Sequence, residues 1–547
     1  MDEEPPHPLN MEALKIALRV ARALKSDIID EIHVMRKIVI DGSNTTGFQR
    51  TCLVAVNGEI TVNGKKVPIQ TICLEEDAAR LIDKSERESV FALDRLGIPL
   101  IEIATAPVIT SPDEAVKVAL EIGRIVKATG YVRNELGVIR QDVNISVRGG
   151  GLVEVKGVQR LSQLKRVVEF EAIRQSSLTK IALELKRRGV KESDLKNEII
   201  DVTEVFKETK CGIIRKSLKT GKRVYAVKLT GFNGLLGLET APGYRLGKEM
   251  AERVRFWTDV RGLFHTDEMP SYGISEEEIN ELRKRVSANK LDAVVFLAAS
   301  EDQARRALEK VIERAIEALY GPPSETRGSK EDGTTFYMRP RPGMARMYPE
   351  TDIPPIKITE ELLREIDAKP IIPPRVKVAE LMRLGLSEQL SWEVYDSKYY
   401  DLFLRLTKEI STLKPTFIAS TLTETMKNLE REGFHVDKIP DDKIYEAFMV
   451  VEKGLTAKES LAEIFKELSK NPHADILLLI REKGLGTISD KELESIVNEV
   501  ITKNIDLIRQ LGDRSFKQIM GRIMSKVRGR ADPRKVADLV RKKLKEI

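Results

Sequence analysis

Three stretches of the sequence gather the side chains best suited to chemistry. Residues 99–107 read PLIEIATAP, and alternation puts Leu100, Glu102 and Ala104 on one face of a strand, with Ile101 and Ile103 on the other. An ionised carboxylate in an apolar site is costly unless it is paired, hydrogen-bonded or bound to a cation. Glu102 therefore either sits on a half-exposed edge strand or has a partner. Residues 72–83, ICLEEDAARLID, read as a helix entry that places Glu75, Glu76 and Asp77 just beyond a short apolar strand. Acids in a first helical turn are favoured by the macrodipole alone. Three of them at a strand end are also what a hard cation such as Mg²⁺ needs, because it takes oxygen ligands and few protein contacts. The third stretch, GVIRQDVNISVRGG, shows a continuously polar face of Arg140, Asp142, Asn144, Ser146 and Arg148. GLVEVKGVQ repeats the design, with Glu154 and Lys156 set against Val153 and Val155. These faces are either solvated antiparallel surface or, if the segments share a sheet, the walls of a nucleotide and metal cleft.

Such strands need a scaffold, and the pattern of the chain supplies one. Roughly the first 215 residues read as mixed α/β. NMEALKIALRVARAL is amphipathic and helical, and TCLVAVNGEITVNGKKVPIQTICL reads as strands joined by turns at Asn57-Gly58 and Asn63-Gly64. SPDEAVKVALEIGRIVKATG carries a capping box of Ser111 with Glu114, Pro112 in the first turn, and Gly130 as a stop. A second unit, roughly 215–325, runs from the strand-like RVYAVKLTGF through GLFHTDEMP and the apolar run DAVVFLAAS, with another capping box at Ser275 and Glu278. Residues 339–356 hold five prolines in 18 residues, too many for a helix or a central strand. They read as an ordered crossing between domains. From about 375 the pattern is almost wholly helical, with a break near 469–475, and no internal repeat stands out.

Composition narrows the class. The chain has 547 residues, 41% of them apolar and 32% charged, with no run approaching a membrane span. Its start, MDEEPPHPLN, is unlike a signal or transit peptide. Cys52, Cys73 and Cys211 lack zinc or disulfide spacing, which fits a reducing cytosol. There is no GxxxxGK[ST], GxSxG or HExxH, and the five histidines (His7, His33, His265, His435 and His473) lie far apart in sequence. The glycines at 231, 234 and 237 signal turns. The net charge of +6 is uneven: residues 514–547 hold 12 Lys/Arg against 3 Asp/Glu. That tail points to a polyanion partner.

At this level the segments resemble a known family. DEEPPHPLNMEALKIALRVA, VMRKIVIDGSNTTGFQRT, LEEDAARLID, LDRLGIPLIEIATAP, GVIRQDVNISVRGG and VEVKGVQRL are similar to the cradle domain of the GatB/GatE amidotransferase subunits. GLFHTDEMPSYGI and RPRPGMARMYPETDIPPI resemble the archaeal E branch, which shares an inserted module with bacterial-type aspartyl-tRNA synthetases. The resemblance implies an α+β fold: a mixed-sheet cradle (1–214, returning at 326–374), an inserted GAD module (215–325), an all-α helical domain (375–468) and a YqeY-like tail (469–547).

It also implies an activity. Family members use ATP and Mg²⁺ to phosphorylate the γ-carboxylate of glutamate misacylated onto tRNA(Gln). Ammonia tunnelled from an asparaginase-like D subunit then displaces the phosphate, in an expected cytoplasmic heterotetramer of two D and two E subunits. Carried over by motif, the metal-binding glutamates match Glu76 and Glu102, and a lysine lining the ammonia entrance matches Lys37. Asp142, Asn144, Glu154 and Lys156 fall in cleft-lining motifs that the resemblance associates with the nucleotide. Arg522, Lys526, Arg528, Arg530, Arg534 and Lys535 of the basic tail are the expected tRNA contacts. One departure stands beside these: the family's Gly-Leu-Glu-x-His strand, which helps to hold the metal, has no match here, and His33 is not equivalent by context. The alternative this leaves is a catalytically silent tRNA-binding scaffold.

Overall fold

The structure is a computed structural model that describes residues 7–39, 45–84, 88–132, 138–341, 347–488, 490–527, 530–531 and 533–546. The chain divides into two compact units, Met1–Ile371 and Ile372–Ile547.

The first unit is α+β. Helix Met11–Ala23 starts where the Asn10 side chain accepts a hydrogen bond from the Ala13 N–H, and it buries Leu14, Leu18 and Val20. That apolar face covers an antiparallel sheet ordered Met347–Pro349, Val34–Ile38, Phe48–Val62, Lys65–Glu76, Pro99–Thr105, with Asp27–Ile28 pairing beside it. Asn63-Gly64 makes the expected hairpin turn between Val62 and Lys65, both residues having positive φ. Asn57-Gly58 does not. It lies inside the single strand Phe48–Val62, where Gly58 packs against Leu24 and Ser26 and the Glu59 N–H donates to the Leu24 carbonyl at 2.8 Å. A tertiary contact overrides the local turn signal there.

The acidic run departs from its expected helix entry as well. Glu75 and Glu76 end the strand Lys65–Glu76, and the next regular element is another strand, Arg80–Lys84. Cross-strand pairing with Thr51 and Leu100 holds Glu75 in the ladder. Helix Pro112–Lys127 forms as expected, but its capping box stays open. Ser111 accepts from the Glu114 N–H, whereas the Glu114 carboxylate accepts from the Thr110 N–H at 2.8 Å and pairs with Lys65. The box at Ser275 and Glu278 closes in both directions.

A second sheet is ordered Thr335–Pro340, Glu325–Ser329, Val153–Val158, Gln141–Ile145. Val153–Val158 runs parallel to Glu325–Ser329. Parallel neighbours need a crossover, and this one holds the 27-residue helix Leu161–Arg187 and a whole further module. Within that span a separate sheet is ordered Ile200–Asp201, Arg223–Leu229, Ala293–Ala299, Phe264–His265.

A buried ionic knot joins helix Leu161–Arg187 to three later segments of this unit. Arg174 pairs with Glu171 at 2.9 Å, with Glu325 at 3.2 Å and with Glu249, while Arg327 meets Glu325 at 2.7 Å and Arg314 meets Glu249 at 3.2 Å. All six side chains are 0–1% exposed. Burial would drive Glu249 toward its neutral form, yet Arg174, Arg314 and Arg327 hold its carboxyl down at about 2.

The second unit is helical. One core runs from Leu381 to Ile480, with helix Ile476–Glu482 packed on helix Leu461–Lys470. A separate core, Leu493 to Val540, joins helices Asp490–Lys503, Phe516–Val527 and Pro533–Leu544.

Candidate active site

The register of the first sheet decides which side chains meet. Lys37 lies opposite Gln49, Thr51 opposite Glu75, and Cys73 opposite Glu102. Because side chains alternate, Lys37, Gln49, Thr51, Glu75, Cys73 and Glu102 share one face. Glu76 and Arg50 occupy the other.

On the shared face the Lys37 ammonium donates to Glu75 at 2.5 Å, and the Gln49 amide reaches Glu75 at 3.3 Å and the Glu76 carbonyl oxygen at 2.9 Å. Glu102 stands on the edge strand with its surface open to solvent. Its carboxyl is nonetheless raised above the ordinary range, first by desolvation and then by the charge of Glu75; Lys37 and Lys156 oppose the shift. Two carboxyl groups acting on one another near a lysine favour either a shared proton or a cation. Burial, reinforced by Glu102 and Glu75, pushes the neighbouring Cys73 thiol up to about 11.

The second sheet carries a polar surface of its own. Asn144 lies opposite Glu154, which puts Asp142, Asn144, Glu154 and Lys156 on one face. Lys156 bridges Asp142 at 2.7 Å and Glu154 at 3.2 Å, and Glu154 also accepts from the Thr326 hydroxyl at 3.0 Å. Desolvation works against the Lys156 ammonium, but Asp142 and Glu154 outweigh it and raise its pKa. The Lys156 charge also acts on the Glu102 carboxyl, so the two polar faces lie within electrostatic reach of one another.

Of the expected pair, the structure brings Glu102 to the sheet face that carries Lys37 and Glu75 and places Glu76 on the opposite face. There Glu76 lies 3.6 Å from Arg50, which also approaches Glu350, the 2.5 Å partner of Arg36. The carboxylate that meets Glu102 is Glu75. Its signal was present in the sequence as parity with Cys73, but the offset between strands that makes Cys73 face Glu102 was not. Among the described residues, no three His, Cys, Asp or Glu converge as a metal cage. The site offers two carboxylates, which suits a hard cation that keeps most of its water.

Comparison with known proteins decides the family. The model of the GatB/GatE catalytic domain matches residues 4–364, and that of a GatB domain matches 401–544. The chain belongs to the GatB/GatE family. It is 47% identical over 552 residues to a protein of Aeropyrum pernix named as the E subunit of glutamyl-tRNA(Gln) amidotransferase, covering 100% of this chain and 86% of that one. A protein of Methanocaldococcus jannaschii with the same name is 47% identical over 549 residues, covering 100% and 87%. The likeness extends to Archaeoglobus fulgidus, at 46% over 544 residues.

The second family match spans the basic tail. Arg522 and Lys526 lie exposed on helix Phe516–Val527, and Arg534 and Lys535 lie exposed on helix Pro533–Leu544. Arg522 bonds Asn504, Lys526 pairs with Glu499 at 3.0 Å, and Lys535 pairs with Asp490. Arg530 is half-buried, its backbone carbonyl accepting from the Ile488 N–H. Arg528 lies outside the described residues.

Proposed function

We propose that this chain is the tRNA-dependent amidating subunit of a glutamyl-tRNA(Gln) amidotransferase, a carbon–nitrogen ligase that turns Glu-tRNA(Gln) into Gln-tRNA(Gln). In this reading the γ-carboxylate oxygen of the tRNA-bound glutamate takes the γ-phosphoryl group of ATP, releasing ADP and leaving an acyl phosphate. Ammonia attacks the carbonyl carbon, the C–O bond to phosphate breaks, and inorganic phosphate leaves. A carboxylate is a poor electrophile, and the phosphate supplies the missing leaving group. Phosphoryl transfer needs fixed positioning and compensating positive charge more than covalent help.

The observation that carries the reading is the Lys37–Glu75–Glu102 constellation inside a domain matched by the GatB/GatE catalytic model. Glu102 and Glu75 would hold Mg²⁺, which offsets the charge of the phosphates. Lys37, fixed by Glu75, presents a cation at the cleft floor. Lys156, set by Asp142 and Glu154, presents one from the opposite wall, and Asn144 adds an amide on that wall. The exposed cations of the tail would grip tRNA through its phosphates. Ammonia would come from an asparaginase-like D subunit in a cytoplasmic assembly of two D and two E chains. No helix among the described residues is long and apolar enough to cross a membrane. The scaffold alternative draws no support from the family matches.

The test is amidation by this chain with Mg-ATP, Glu-tRNA(Gln) and ammonium, comparing the wild type with Glu102→Gln. Product from the wild type and none from the variant, with tRNA still bound, is the expected result. Equal product from both overturns the assignment of the cleft.

A further inference from the structure

The inserted module carries a second basic surface, separate from the cleft and from the tail. Residues 207–223, KETKCGIIRKSLKTGKR, contain seven Lys/Arg and one acid. The eight-residue helix Gly212–Lys219 fixes them in space. Ile214 is buried and Leu218 half-buried in the module's core, below Cys211. The opposite face presents Arg215, Lys216 and Lys219, at spacings of three and four residues, and Lys210 and Lys222 flank it.

Elsewhere in this unit exposed cations are commonly neutralised: Arg187 by Glu184 at 2.7 Å and Arg305 by Glu301 at 2.8 Å. Even within the segment, Lys207 pairs with Glu204 at 2.6 Å and Arg223 with Asp201 at 3.0 Å. Lys210, Arg215, Lys216, Lys219 and Lys222 have no ion pair among the described residues. Five unpaired cations crowded on one helix and its flanks repel one another, and an anionic partner relieves that repulsion.

An aromatic side chain adjoins them. Tyr272 is 57% exposed, and its ring leans on Phe264 at 5.8 Å between centroids. The next residue, Gly273, packs so closely on the basic segment that a Cβ there would stand 2.9 Å from the Lys210 carbonyl oxygen. On the helix that follows Tyr272, Glu278 is engaged in the capping box with Ser275.

We infer that this surface of the inserted module binds RNA, its lysines and arginine on consecutive phosphates and Tyr272 stacked on an unpaired base. The inference rests on the tRNA-dependent reading above and adds a contact of this module to it. Cations without carboxylate partners supply sequence-independent affinity, and an exposed ring beside them takes a base in a way that a protein partner would not require.

The test titrates an unacylated tRNA(Gln) transcript onto the full chain across a range of KCl concentrations. Three variants are compared with the wild type: Arg215→Gln/Lys216→Gln/Lys219→Gln, Tyr272→Ala, and the tail variant Arg522→Gln/Lys535→Gln. Removing three phosphate contacts flattens the slope of log affinity against log salt by about two to three. Tyr272→Ala weakens binding roughly fivefold or more with the slope unchanged, and Tyr272→Phe restores it. Tail-variant weakening together with wild-type affinity and slope in the triple variant overturns the inference while leaving the tRNA reading intact. Absence of tRNA binding by the wild type overturns both. Loss of a protein partner by the triple variant, with RNA affinity unchanged, also overturns it and makes the patch a protein interface.

Discussion

Arg174→Met removes the centre of the ionic knot. In the wild type Arg174 meets Glu171 twice, at 2.9 and 3.0 Å, Glu325 at 3.2 Å, and Glu249. The variant leaves these three carboxylates, each 0–1% exposed, with one fewer arginine among them. An uncompensated charge at such a site costs roughly 3–5 kcal/mol. A unit of this size has a urea m-value of about 3 kcal/mol/M or more, so its midpoint falls by roughly 1 M. The sequence has two tryptophans, and Trp257 is the one in the first unit. With Trp392→Phe as background, Trp257 fluorescence follows that unit alone. Adding Glu171→Leu to Arg174→Met restores charge balance and recovers part of the loss, because a buried pair is often replaceable by apolar groups whereas half a pair is not. A midpoint shift below about 0.3 M for Arg174→Met would refute the view that this knot holds the first unit together.

Three further outcomes follow from particular contacts. Gly58→Ala drives a Cβ to 2.1 Å from the Ser26 hydroxyl and 2.8 Å from the Leu24 carbonyl oxygen, and should cost roughly 1–3 kcal/mol in the same unfolding assay. Burial first, then Arg245, lowers the pKa of His265 from its ordinary 6.5 against Glu268 and Asp267. The folded chain then takes this proton less readily than the unfolded one, so stability is full above 6.5 and falls as pH drops through the lower folded value, whereas His265→Gln loses the limb that begins below 6.5. Burial pushes Cys52 to about 12 and Cys73 to about 11, so a thiol reagent at pH 8 should label the native chain far more slowly than the three thiols released by urea.

Local chemistry made parts of the fold legible. Asn63-Gly64, Ser275 with Glu278, and Pro112 after Ser111 act through neighbours a few residues away, and the sequence displays them directly. Asn57-Gly58 carries the same turn signal, but Leu24 and Ser26, distant in sequence, hold it inside a strand. Glu102 stood out because a charge interrupted an apolar run. Glu75 did not, because choosing between it and Glu76 needs the offset of three strands, from Lys37 through Thr51 to Cys73. The knot was invisible for the same reason: Arg174 and Glu249 lie 75 positions apart, and Arg174 and Glu325 lie 151 apart. Each looks alone like an ordinary surface charge on an amphipathic helix or strand.

The most direct test of the central claim compares Glu75→Gln, Glu76→Gln and Glu102→Gln in ADP release that depends on Glu-tRNA(Gln), with tRNA affinity measured in parallel. Loss of ADP release in Glu75→Gln and Glu102→Gln, its persistence in Glu76→Gln, and unchanged tRNA affinity in all three is the predicted result. Loss in Glu76→Gln with turnover retained in Glu75→Gln would contradict it and move the reacting face to the side of Arg50.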